Sequence, residues 1–98
     1  MDFHELEKQV NELDVIKIQK LVSWLSHKEV AIACHIFSDV TSKNLMDNTS
    51  KEGRKIIEEE MQNYEENFEQ YLPEVYVTMK KYIELIMTGK GIEYIDKE

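Results

Sequence analysis

Apolar residues recur along this chain with the 3.6-residue period of an α-helix, and almost no segment alternates as a half-buried strand would. Phe3, Leu6, Val10 and Leu13 share one side of a short, mostly polar stretch, which predicts a first helix over residues 3–13 with only a narrow apolar edge. That edge suits docking on a neighbouring helix or pairing between chains. From Asp14 onward, Ile18, Leu21, Val22 and Leu25 give a cleaner stripe with Trp24 beside it. Residues 30–37 are apolar nearly all round, so this segment is expected to be the central, most buried helix, with Val30, Ala33, Cys34 and Phe37 in the core. A short helix through Leu45 and Met46 follows. Next comes a long one from about residue 50 to about residue 70, whose stripe is Ile57, Met61, Tyr64 and Phe68. In the last helix, Val75, Met79, Tyr82, Ile83 and Ile86 face inward.

Polar punctuation divides these stripes. Ser26-His27-Lys28-Glu29 has the spacing of a capping box, in which the serine hydroxyl accepts from the N3 amide while the glutamate reaches back. Ser38-Asp39 supplies the next cap and Asn48 closes that helix. Thr49 with Glu52 forms a further cap pair at the head of the long helix. Pro73, the only proline, fits the first turn of the last helix, because its missing N–H has no partner there in any case. Gly89 and Gly91 end the helix and leave 92–98 as a tail of uncertain order. About six helices with short connections predict one all-α domain over residues 1–98, a compact bundle or armadillo-like stack.

Composition narrows the function classes. Ninety-eight residues, 42% of them hydrophobic, support one modest core and no deep enclosed substrate pocket. Twelve Lys and Arg against twenty Asp and Glu give a net charge of −8, which disfavours nucleic acid and anionic lipid and favours protein partners of basic or mixed charge. The lone Cys34 excludes an intrachain disulfide and suits a reducing, cytoplasmic setting. No apolar run approaches the roughly 18 residues of a membrane span, and the first residues do not look like a secretion signal.

Catalytic constellations are hard to assemble, so no enzymatic activity is expected. His4, His27 and His35 lack the i,i+4 or Glu-x-x-His spacing of a metal site, and adjacent Cys34 and His35 diverge on a helix. The three glycines form no phosphate loop. Tyr64, Phe68, Tyr71, Tyr76 and Tyr82 have helical spacing in acidic surroundings, which points to core packing over base stacking. No cofactor or metal is implied. What remains is the charged start of the long helix, where basic Lys51, Arg54 and Lys55 precede acidic Glu58, Glu59 and Glu60. Off the apolar stripe, these charges read either as a solvated face stabilised by i,i+4 pairs or as an electrostatic docking helix, with Glu60 near the stripe's edge.

Four stretches carry a resemblance: Ile18-Gln19-Lys20-Leu21-Val22; Glu29-Val30-Ala31-Ile32-Ala33; Asn48-Thr49-Ser50-Lys51 with Glu59-Glu60-Met61; and Val75 through Lys80-Lys81-Tyr82-Ile83. In order and spacing they resemble the C-terminal domain of the flagellar motor switch protein FliG, which reads Ile-Gln-Arg/Lys-Leu-Leu, an Ala-Leu-Lys helix, Asn-Met-Ser-Lys-Arg-Ala-Ala before an acidic pair, and a closing helix. Phe3-His4-Glu5-Leu6 looks like the family's Phe-Glu-Asp-Leu entry segment, about one helical turn further from Gln19. The resemblance implies an armadillo-like rotor module at the cytoplasmic face of the flagellar basal body, whose charged helix meets the stator. By position it assigns the acidic pair to Glu59 and Glu60. The family's basic positions fall on Glu52 and His35, a departure that implies a changed stator partner or a relative that no longer carries torque.

Partner-binding candidates are therefore His35, Lys51, Glu52, Arg54, Lys55, Glu59 and Glu60. Two classes stay open: a rotor-type module working by charge complementarity, and an unrelated acidic adaptor or inhibitor, of phage or immunity type, that occupies a basic site. The first requires the helix after Ser50 to lie exposed at one end of the stack.

Overall fold

Local capping sets most of the helix starts. The computed structural model describes residues 1–89. In it Asp2 accepts from the Glu5 amide at 3.0 Å and opens α1 (Phe3–Asn11). Asp14 accepts from the Lys17 amide at 2.9 Å and opens α2 (Val15–Trp24). The capping box at Ser26 is complete: the Glu29 amide donates to Ser26 Oγ at 3.1 Å, the Ser26 amide donates to Glu29 Oε1 at 2.8 Å, and α3 (His27–Ile36) follows. α4 (Asp39–Asp47) starts after Ser38 and closes at Asn48, whose side-chain amide donates to the Asn44 carbonyl at 2.8 Å. α5 (Lys51–Asn63) leads into a 3-10 turn (Phe68–Tyr71) and then α6 (Leu72–Thr88), which has Pro73 in its first turn. Gly89 ends α6 at φ 76°, a left-handed conformation that glycine adopts without side-chain strain. Among the described residues there is no strand, so the all-α reading stands. Gly91 and the tail 92–98 lie outside the described residues.

α3 is the hub. Val30, Ala31, Ile32 and Ala33 are all buried, so the middle of the helix is enclosed on every side, and α4, α5, α6 and the 3-10 turn all pack on it. α2 and α1 pack on α6. Leu6, Val10, Ile18, Leu21, Leu45, Ile57, Val75, Met79, Ile83 and Ile86 complete one continuous core. Cys34 departs from the expectation. It is only half-buried, and the Ser42 hydroxyl of α4 donates to the Cys34 carbonyl at 3.3 Å.

Two boundaries also differ from the sequence expectation. Ser50, not Thr49, caps α5: the Gly53 amide donates to Ser50 Oγ at 3.0 Å. Thr49 instead donates its hydroxyl to the Leu45 carbonyl at 2.8 Å, a second bond to an acceptor that also takes the Asn48 amide at 3.3 Å. Adjacent hydroxyls thus divide the closing of one helix and the opening of the next. The long helix stops at Asn63, not near residue 70. Beyond it, Tyr64, Phe68 and Tyr71 fold back on α3, with Tyr64 and Tyr71 edge to face at 5.2 Å.

Candidate partner-binding face

α5 packs chiefly on α3, so it sits at the edge of the fold. Its contact stripe is Gly53 and Ile57, both buried, continued by half-buried Met61 and Tyr64. Gly53 leaves room chiefly for the two residues that precede the helix. A Cβ there would meet Thr49 Cγ2 at 2.8 Å, Ser50 Oγ at 3.0 Å and His27 Nε2 at 3.4 Å.

With roughly 100° per residue, the remaining positions fall on a free face with two edges of opposite sign. Lys51 and Lys55 are exposed on one edge with Glu58, and half-buried Arg54 forms its margin. Glu52 and Glu59 are exposed on the other, where half-buried Glu60 forms the margin. Glu59 and Glu60 are therefore not equivalent: the first projects from the free face, whereas the second lies against the packed side. Lys51, Glu52, Arg54, Lys55 and Glu58 line a shallow concavity of about 410 Å³. Ile56, on the acidic edge, is 42% exposed. Sequence reasoning missed it, although the signal was present: in the pair Ile56-Ile57 only one side chain can join a single helical stripe.

His35 does not join this face. Its Nε2 lies 3.0 Å from the Met61 carbonyl oxygen, and since a carbonyl only accepts, Nε2 carries the proton. The imidazole also stacks on Phe68 at 4.9 Å with 19° between planes. It serves as a clasp between α3 and the end of α5, filling one of the acceptors that every helix C-terminus leaves open. In the first turn of α3, Lys28 holds its ammonium 3.8 Å from the Tyr71 ring centroid and 5.1 Å from that of Tyr64. Together His35 and Lys28 pin the segment after α5.

A second polar cluster joins α1 to α4. Glu7 Oε2 accepts from Ser38 Oγ at 2.6 Å, from Thr41 Oγ1 at 2.6 Å and from the Ser38 amide at 3.2 Å. Asn11 Oδ1 lies 3.2 Å from the hydroxyl of Thr41, a fully buried residue. The Ser38 hydroxyl, then that of Thr41, holds the Glu7 carboxyl below its ordinary range, against the opposing effect of burial. A carboxylate at the head of α4 also complements that helix's dipole. This cluster explains how the polar first helix docks. Burial pushes the Cys34 thiol up, opposed by the Ser42 hydroxyl.

Among the described residues, no group of three His, Cys, Asp or Glu is placed to hold a metal ion, and no helix is long and apolar enough to cross a membrane. Comparison with known proteins gives no matching family model, curated protein or solved structure.

Proposed function

We propose that this chain is a non-enzymatic docking module whose free α5 face engages a protein of mixed charge. The observation that carries the reading is the two-edged face itself, with Lys51 and Lys55 along one side, Glu52 and Glu59 along the other, and Ile56 exposed beside the acids. Such a surface favours a partner element bearing both signs and an apolar side chain to cover Ile56. Charge complementarity steers the encounter and sets register, and it weakens as salt shortens the Debye length below roughly 8 Å. His35, with its ring nitrogen and one face already engaged, positions α5 and leaves recognition to the charges.

The similarity to the flagellar rotor domain makes the cytoplasmic loop of a stator the first partner to try. An unrelated basic site, occupied by this chain as an acidic adaptor, is the alternative. The test is to reverse Glu59 and Glu60 to Lys and to measure thermal melts alongside binding to the stator loop at low and high salt. Intact folding with salt-dependent loss of binding is expected. Unchanged binding with intact folding would mean that the face is only solvated, and loss of folding would make the pair structural.

A further inference from the structure

A different face carries the larger apolar exposure. Ile16 is 75% exposed and Met87 54% exposed, with Val15 exposed beside the first. Ile16 and Ile86 line one recess of about 180 Å³ with Asp14, Lys17 and Lys20, between α2 and the end of α6. On the other side of α6, Met87 and Ile83 line a second recess of about 310 Å³ with Gln9, Glu12, Lys80 and Glu84, facing α1. Two projecting apolar side chains thus flank two hollows along the last turns of one helix. Projecting apolar side chains beside hollows on an otherwise highly charged surface mark candidate contact sites.

The charges around the hollows identify the occupant. The α2 rim, with Lys17, Lys20 and Asp14, has an excess of one positive charge. The α1 rim, with Glu12, Glu84 and Lys80, has an excess of one negative charge. A two-fold axis running along α6 in the plane of the patch sets each α2 rim on the α1 rim of the other copy. It also brings the Ile16 of each chain toward the hollow beside Met87 of its mate. Both rim pairings are then attractive, and the apolar residues are covered from both sides.

We infer that the α2–α6 face is a self-complementary interface and that its occupant is a second copy of this chain. The surface is small and its rims carry few charges, so the dimer belongs to the weak, transient class that buries below about 1,200 Å² in total.

A pair of rim reversals tests this on the full chain by sedimentation equilibrium over a concentration series. One variant carries Lys17→Glu and Lys20→Glu, which makes both rims acidic. The other carries Glu12→Lys and Glu84→Lys, which makes both basic. Each alone is expected to be monomeric where the parent dimerises, and an equimolar mixture of the two is expected to restore a dimer. Circular dichroism establishes that both remain folded, and the mixture itself distinguishes a repelled rim from a damaged one. Ile16→Glu is expected to raise the parent's dissociation constant at least about tenfold, since it places a charge where an apolar side chain is covered. A parent that stays monomeric throughout, or a dimer indifferent to the rim reversals and to Ile16→Glu, would overturn the inference. A monomer in which Ile16→Glu lowers only the melting temperature would assign the patch to contacts within the chain, and would overturn it equally.

Discussion

His35 donates its Nε2 proton to the Met61 carbonyl oxygen at 3.0 Å while its ring lies on Phe68, and this single side chain fastens the end of α5 to the central helix. His35→Ala removes a part-buried hydrogen bond and an aromatic contact together, so a loss of about 2 kcal/mol is expected from urea unfolding. Amide exchange should accelerate most in the last turn of α5, around Tyr64. Uniform acceleration over the whole chain would show that the clasp has no local role.

Gly53 predicts a context-dependent response. Alanine is worth about 1 kcal/mol more than glycine in a helix, but here its Cβ would lie 2.8 Å from Thr49 Cγ2. That methyl has little freedom to move, because the Thr49 hydroxyl is tied to the Leu45 carbonyl. Gly53→Ala is therefore expected to destabilise by about 1–2 kcal/mol, the usual scale of overpacking. Adding Thr49→Ser removes the methyl and keeps the hydroxyl, so Gly53→Ala should cost less in that background, where the Ser50 Oγ contact at 3.0 Å remains. Thermal melts of the four proteins decide the matter.

Acid should weaken the α1–α4 joint through Glu7. Its folded-state pKa is depressed, so its contribution is present in full above the unfolded value and is lost as pH falls through the folded one. Glu7→Gln should cost about 1 kcal/mol at neutral pH, the partly exposed setting reducing the worth of the charged hydrogen bonds. The gap in melting temperature between parent and variant should close below about pH 4. A gap that is constant with pH would remove the carboxylate's charge from the explanation.

Cys34 gives a test in the opposite direction. Half-buried and with its thiol pushed up by burial, it should react with a thiol reagent at neutral pH more slowly than a free cysteine, yet measurably in the native state. Labelling at the rate of the unfolded chain would contradict the placement. Complete protection short of unfolding would also contradict it.

How much of this was legible depended on how local the cause was. Asp14, Ser26, Ser38, Pro73 and Gly89 mark their boundaries through contacts within a few residues, so the pattern of caps reads directly from the chain. Thr49 and Ser50 are adjacent hydroxyls of nearly equal capping power, and only the bond from Thr49 back to the Leu45 carbonyl separates their roles. The end of α5 was illegible because Tyr64 and Phe68 continue its apolar period. What stops the helix is tertiary, namely Lys28 and His35 on α3. The same long-range pairing drew His35 out of the candidate face, and it joined Glu7 to Ser38 across 31 residues, a separation that no local pattern signals. The free charges of α5 were legible because amphipathic spacing alone places them.

The most direct test of the docking role is photo-crosslinking from α5 itself. A photoreactive phenylalanine analogue at Ile56 is compared in the source cell with the same group at Val77, an exposed position on α6. The account predicts a discrete protein adduct from Ile56 that is absent from Val77 and disappears when Glu59→Lys is added. Identical adduct patterns from the two positions, or an Ile56 adduct indifferent to Glu59→Lys, would contradict it.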